Sequence, residues 1–419
     1  MPIPILFVSD AVTAETGLAR ITRDLAVRVH ENLPELFRVG SLGYGGPYSR
    51  NIPFPQYSMN MKDWVVFNLV EVWKDFAGTE PGIVFTIWDA SRLLWFSRPE
   101  NCQTDYLRNF LKTPPFKRWG YFPMDATGPN DKLTAVLAHT MEGYDRVLAY
   151  SQWAENILRR TLTSRPILDG LTNLPHGIDT SVFQPRHRIM ARHGFGEKLG
   201  VRNKKYDKWL SIPDDAYAIG IVGTNQARKD FGLGIQTVAA LAKDRKIFLW
   251  IHTDVLERHW SIPALLNDYG ILKDSITTTL PLTDEQMAWC YSALDLTLGI
   301  GVAEGFGYPI FESLACGTPC VHGNDGGAAE HLPKEMLVEP VATRLEGPYC
   351  CQRNVYRAVD WVDKIKALEP KKRATLPDHL SWNMNWRRWK EWFVKGAEEC
   401  QFHFVLEERV FWEATSRSI

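Results

Sequence analysis

Residues Val302–Val321, VAEGFGYPIFESLACGTPCV, set Glu304 and Glu312 on either side of a short glycine-rich corner, with seven residues between them. Pro309 lacks the N–H that the first turn of a helix leaves unused, and Gly317 suits the position just past a last turn. The spacing predicts a helix over Pro309–Cys316, with Glu312 about one turn inside it and Glu304 in the loop before it. Gly305 and Gly307 let that loop bring its backbone close to a ligand. The amides of Phe306, Gly307 and Tyr308 then stand at the positive end of the helix, aimed at an anion or at sugar hydroxyls. A single Glu at a helix start is ordinarily a cap. Two carboxylates around one glycine loop, both able to accept from hydroxyls, read better as a site for a diol-rich, phosphorylated ligand.

Other patterns carry less. Gly194-Phe-Gly-Glu-Lys-Leu-Gly200 sits in a polar stretch with no strong strand before it, and Gly299-Ile-Gly301 follows a strand but lacks a third glycine at dinucleotide spacing. There is no Gly-Lys-Ser/Thr phosphate loop. Cys316, Cys320 and His322 lack a fourth ligand at suitable spacing, so they read as helix-end packing and no metal is expected. The seven cysteines form no CxxC pair, which suits free thiols in a reducing compartment.

These residues need a frame. Apolar runs of strand length at Ile3–Val8, Ile83–Ile87, Trp119–Phe122 and Arg146–Tyr150 alternate with helical patterns, among them Leu18–His30 and one beginning at Gln152. Alternation of this kind predicts parallel sheets covered on both faces. A polar, basic stretch follows Pro185, over residues 186–215, and reads as a solvated surface segment more readily than as a nucleic-acid patch. A second series then runs through Tyr217–Val222, Ile247–Ile251, Ile276–Leu280, Leu294–Ile300 and Pro319–His322. The expected organisation is an N-terminal α/β domain over 1–185, a second over 186–360, and a helical segment over 361–419. Trp382, Trp386, Trp389 and Trp392 in that segment fall on one helical face, a packing stripe.

Length and charge agree. At 419 residues the chain exceeds what one core ordinarily serves, and a formal net charge of −1 gives no overall basic field for nucleic acid. Sixteen tryptophans mildly favour carbohydrate or nucleotide ligands. The first residues read as a strand with no signal peptide, and no apolar run is long enough for a membrane span, so a cytoplasmic location is expected.

The Glu304–Glu312 stretch resembles the E-x7-E signature of retaining nucleotide-sugar glycosyltransferases of family four, which have the GT-B fold. Tyr291-Ser-Ala-Leu-Asp-Leu before it, with Leu294 in place of a small residue, and Gly326-Gly-Ala-Ala-Glu330 after it are similar to flanking motifs of that family. So are Leu174-Pro-His-Gly-Ile-Asp-Thr-Ser-Val-Phe-Gln-Pro185, with His176 in place of Asn, and Tyr150-Ser-Gln-Trp153. These matches span roughly residues 5 to 332.

The resemblance implies two Rossmann-like domains facing a cleft, the C-terminal helices packing back towards the first domain, and the donor mostly on the second. Within Val222-Gly223-Thr-Asn225-Gln-Ala-Arg228-Lys229-Asp230, it implies that Arg228 and Lys229 neutralise the diphosphate and stabilise the leaving group. It assigns Glu312 to the ribose, Glu304 and the amides of 306–308 to the transferred sugar, and Leu282, in the loop Leu280–Thr283, to the base. Gly17, in Thr16-Gly17-Leu18, is similar to a glycine loop that closes over the phosphates. The family's His near the anomeric carbon is absent; Asp125 takes that place or caps the next helix. The implied reaction moves a hexose from a UDP- or GDP-sugar to a hydroxyl acceptor with retention. It proceeds by front-face displacement, without cofactor or metal. A sugar-nucleotide epimerase, another enzyme of this fold, and a non-catalytic nucleotide-sugar binder stay open. So does the acceptor: a glycan, a metabolite, or a hydroxylated base in DNA.

Overall fold

The computed structural model describes residues 1–203, 208–302, 304–347, 349–368 and 374–416. Contacts divide the chain into two compact units. Unit 1 comprises Met1–Pro123, Asn130–Leu174 and the chain from Trp386 onward; unit 2 comprises Met124–Pro129 and Pro175–Asn385. Both are α/β with an all-parallel main sheet, as the alternating pattern predicts.

Unit 1 is built on β1 (Ile3–Asp10), β2 (Phe37–Tyr44), β3 (Gln56–Ser58), β6 (Gly82–Thr86), β7 (Phe116–Phe122), β8 (Arg146–Ala149) and β9 (Thr172–Asn173), after a small hairpin of β4 (Met61–Lys62) and β5 (Val65–Val66). The sheet order is β3-β2-β1-β6-β7-β8-β9. Apolar side chains on both faces of β1 and β6 are fully buried, the signature of a sheet covered on both sides. Thr16 caps the Gly17–Asn32 helix by accepting from the Ala19 amide at 3.1 Å, and Ser151 caps Gln152–Thr161 in the same way.

The tryptophan stripe is packing. In the long Trp382–Ser416 helix, Trp389 and Trp392 are buried against Tyr121, Trp119 and Phe85, with ring centroids 4.8–5.7 Å apart. Strand β2 gave no clear signal in the sequence because Gly40 and Gly43 interrupt its apolar run. Both are close-approach sites: a Cβ on Gly40 would come 2.8 Å from the Phe76 ring, and one on Gly43 would strike the Ala11 backbone.

Unit 2 carries the short antiparallel pair β10 (Arg202–Asn203) and β11 (Lys208–Trp209). Its main sheet is made of β12 (Tyr217–Val222), β13 (Ile247–His252), β14 (Ser275–Thr278), β15 (Leu296–Gly299), β16 (Cys320–Gly323) and β17 (Leu337–Val338), in the order β14-β13-β12-β15-β16-β17. An antiparallel pair, β18 (Ala342–Glu346) and β19 (Cys351–Val355), stands apart. The core is aliphatic, with Ile219, Ile221, Leu249, Ile251, Leu296 and Leu298 fully or almost fully buried.

The basic stretch 186–215 is a surface segment only in part. It holds two short helices, Arg188–His193 and Phe195–Leu199, and much of its charge is spent internally. Arg188 and Arg192 both pair with Asp295, Arg192 is buried, and Arg186 pairs with Glu285 at 2.6 Å. The Arg192 guanidinium also donates to the carbonyls of Ala293, Pro213 and Asp214. Sequence alone could not show that these cations have partners about a hundred residues away. Lys204 and Lys205 lie outside the described residues.

Candidate functional site

The strand order of unit 2 reverses between β12 and β15. In an open α/β sheet the crevice beyond the carboxyl ends of the strands at such a point is where ligands settle. The two loops that leave there, 223–230 after β12 and 300–307 after β15, carry most of the residues singled out from the sequence. They are joined by backbone: Lys229 and Gly301 form an antiparallel bridge, Asp230 N donates to Ile300 O at 3.1 Å, and Val302 N donates to Arg228 O at 2.9 Å.

This zipper brings four charged side chains together. The Arg228 guanidinium reaches Asp125 Oδ2 with Nε at 3.2 Å and Glu304 Oε1 with Nη1 at 3.1 Å. Lys229 Nζ contacts the same Glu304 oxygen. Lys229 and Glu304 are buried, whereas 27% of the Arg228 side chain and 38% of Asp125 remain exposed. The cluster is therefore graded in exposure, with Arg228 the more open cation and Lys229 the more buried. Burial holds the Lys229 ammonium well below its ordinary value; neighbouring Arg228 lowers it further, and Asp125 opposes the shift. With two cations and two carboxylates the group is neutral, so an arriving diphosphate would exchange carboxylate partners for phosphate oxygens.

Asp125 belongs to unit 2 by contact. Its carboxylate goes to Arg228 and not to a helix amide, and its carbonyl accepts from Arg353 Nη1 at 2.6 Å. Glu304, expected at the sugar, is engaged with the two cations.

Three glycines shape the loop. A Cβ on Gly301 would fall on the Glu304 carboxylate, and a Cβ on Gly305 would come 2.7 Å from the Met124 carbonyl. Gly307 lies in the left-handed region, at φ 85°, as the N-cap of the Tyr308–Ala315 helix. That helix stops at Cys316, and Gly317 follows with φ 84°. Proline sits in its first turn, and the helix begins at Tyr308, one residue before Pro309, where the sequence reading placed its start. Pro309 brings no N–H to that turn, and the Ile310 and Phe311 amides donate to Gly307 O at 3.0 and 3.5 Å. Phe306 is buried against His176, with ring centroids 3.8 Å apart, and Tyr308 lies 5.0 Å from the same imidazole.

Glu312 is buried one turn inside the helix, where its Oε2 accepts from the Tyr291 hydroxyl at 2.9 Å. Leu282 is half-buried in the loop before the Asp284–Ala293 helix, whose start is fixed by a capping box between Thr283 and Gln286. Gly223 lies along the aliphatic stem of Lys229. Asn225 is fully buried and its carboxamide is taken up locally. It donates to the carbonyls of Val255 and Trp260 and accepts from the Trp260 amide at 2.9 Å. Asn225 therefore shapes the loop and does not offer its side chain to a ligand. Gly17 lies in unit 1, as the first residue of its helix, after the Thr16 cap.

Sequence reasoning missed Gly301, His176 as a wall behind Phe306, and His322. The last is fully buried under this site, with Nδ1 2.6 Å from Gly299 O, and burial keeps its imidazole below the usual range; Asp325 opposes this shift and Lys229 adds to it. The one available signal was the Gly299-Ile-Gly301 pattern. The vacancy it marks accommodates a carboxylate, not a dinucleotide. Among the described residues no group of three or more His, Cys, Asp or Glu is arranged to hold a metal ion. Cys320 instead lies beside the Met336 sulfur. No described helix is long and apolar enough to cross a membrane.

No family model matches the chain. Among curated proteins it is similar to D-inositol 3-phosphate glycosyltransferase of Mycobacteroides abscessus, 29% identical over 199 residues, covering 47% of this chain and 39% of that protein. It is similar as well to an MMP alpha-(1->4)-mannosyltransferase of Mycolicibacterium hassiacum, 27% identical over 157 residues, covering 38% of this chain and 32% of the relative. The chain thus spans less than half the length of these relatives. A solved glycosyltransferase from Rickettsia africae superposes over 94% of this chain and 98% of its own, with TM-score 0.64 at 17% identity. The Anabaena protein HepE, solved with UDP and glucose, covers 87% of this chain and 89% of its own, with TM-score 0.60 at 12% identity. At these identities the likeness is one of fold: the two-domain α/β architecture of GT-B glycosyltransferases.

Proposed function

We propose that the protein is a retaining glycosyltransferase that takes a hexose from a nucleotide-diphosphate sugar, UDP- or GDP-linked, and delivers it to a hydroxyl acceptor. The observation that carries this reading is the joining of Arg228 and Lys229 to the Glu304 loop at the switch point of the unit 2 sheet. The resemblance of the Glu304–Glu312 stretch to the family-four signature, and the similarity to named glycosyltransferases, support it.

In this reading the diphosphate displaces the carboxylates from Arg228 and Lys229, and these cations then hold the charge that grows on the departing phosphate oxygen. Glu304, released from its ion pairs, accepts from hydroxyls of the transferred sugar, with the Phe306, Gly307 and Tyr308 amides as further partners for the sugar. Glu312 serves the ribose. No strong base is required, because the leaving phosphate oxygen accepts the acceptor proton on the same face. Fixed cations do the work that Mg²⁺ does elsewhere, so chelation with EDTA should leave activity unchanged. Asp125 borders the site and orients Arg228.

The test combines binding and turnover. Thermal shift against UDP-glucose, GDP-mannose and ADP-glucose identifies the donor. Release of the nucleoside diphosphate, and the anomeric proton of the product, are then followed by NMR. Arg228→Ala should lower turnover about 10²–10³-fold, the scale of removing one preorganised charge at a transition state, and the product should keep the donor's anomeric configuration. Binding without any turnover, or an inverted product, would refute the proposal.

A further inference from the structure

The strand order of unit 1 also reverses once, between β1 and β6, and a second group of residues gathers at the carboxyl ends there. Hairpin β4–β5 pairs Lys62 with Val65, so its loop is the two residues Asp63 and Trp64. Both have positive φ, 49° and 68°. A two-residue loop of this kind tolerates Asp first but strongly prefers glycine second, because a Cβ crowds the left-handed backbone. A chain that needed only the turn would be better served by Asp-Gly. Here the costly position holds a tryptophan, while Val65 and Val66 anchor the hairpin in the core.

The indole is presented outward and stiffened from below. Trp64 is 43% exposed although the Arg92 guanidinium stacks 4.0 Å over its ring, and Arg92 is held by Asp89 at 3.1 Å. Trp88 meets Trp64 edge-on at 6.0 Å, and half-exposed Tyr44, the last residue of β2, does so at 6.4 Å. Trp88 is itself fixed by donating Nε1–H to Asp10 Oδ1 at 3.2 Å, while Asp10 Oδ2 accepts from Thr16 Oγ1 at 2.6 Å. A strained residue held by its surroundings and still half-exposed points to a functional surface.

We propose that Trp64 is the stacking platform of an acceptor subsite for a neutral polyhydroxylated six-membered ring, a pyranose or a cyclitol. The apolar C–H face of such a ring lies on the indole, and its hydroxyls find charged partners around the rim. Asp10, Glu15, Asp63 and Asp89 on the same strand ends and loops offer carboxylate acceptors to hydroxyls, which suits a neutral ring better than a phosphate backbone. Only the word acceptor rests on the glycosyltransferase reading; the ring site itself stands within unit 1.

Saturation-transfer NMR on the full chain tests this, with methyl α-D-glucopyranoside and myo-inositol as separate probes and a single-stranded decathymidylate as the competing class. The ring C–H protons of at least one hydroxylated probe should be saturated, and whichever responds tells pyranose from cyclitol. Trp64→Gly, which also relieves the turn, should weaken that signal about tenfold, the scale of one lost aromatic contact, with circular dichroism unchanged; Trp64→Phe should restore most of it. The proposal is overturned if neither ring is saturated, if Trp64→Gly leaves the signal intact, or if only the oligonucleotide responds. UDP titration in parallel keeps the two readings separate, since loss of UDP binding would strike the donor site and leave the ring site standing.

Discussion

Lys229 is where burial and charge oppose each other most directly. Its folded pKa lies below the ordinary lysine value, so between the two the free protein lacks a proton that the unfolded chain would hold. A diphosphate against Nζ restores it. Binding of UDP should therefore take up protons on the alkaline side, and affinity should fall as pH rises through the depressed pKa. Calorimetry in two buffers of different ionisation enthalpy measures this directly; the uptake should vanish in Lys229→Ala. Glu304 gives the complementary prediction. Glu304→Gln removes the carboxylate that competes with phosphate for Arg228 and Lys229, so UDP alone should bind at least as tightly while sugar transfer falls. Weaker UDP binding in that variant would mean that Glu304 holds the cations in place and does not compete for them.

At the scale of elements, the glycine loop and its helix were the most legible part. Pro309, Gly307 and Gly317 act locally, and the Tyr308–Ala315 helix starts and stops where those residues require. The strands were equally plain where apolar runs were continuous, as at Tyr217–Val222. What was hidden depends on partners distant in sequence. Asp125 meets Arg228 across about a hundred residues, Gly305 rests on the Met124 carbonyl, and the arginines of 186–192 find Asp295. The Asp63-Trp64 turn was hidden for the opposite reason, since its second residue defies local preference. The loop yields its own test. Gly307→Ala should cost about 1–2 kcal/mol through its left-handed backbone. Gly305→Ala should cost donor affinity, because a backbone carbonyl cannot step aside for a Cβ at 2.7 Å. Melting curves and UDP titrations separate the two effects.

Across the whole molecule, each unit has its own parallel sheet and its own switch point, and the chemistry assigned to each differs. Unit 2 gathers cations and carboxylates in a buried gradient; unit 1 presents an indole and a phenol. The long C-terminal helix contributes to the unit 1 core, where Trp389 is fully buried against Tyr121. Trp389→Ala should destabilise the fold by about 3–5 kcal/mol, the range for emptying a large aromatic site, and denaturant melts should record it. UDP affinity, measured well below the melting temperature, should stay unchanged, because Arg228, Lys229, Glu304 and Glu312 all belong to unit 2. A crystal grown with UDP addresses the donor site most directly. Its diphosphate should lie within about 3 Å of the Arg228 guanidinium and of Lys229 Nζ, with Glu304 turned from both. A diphosphate bound elsewhere, with the Arg228–Asp125 and Lys229–Glu304 pairs undisturbed, would contradict it.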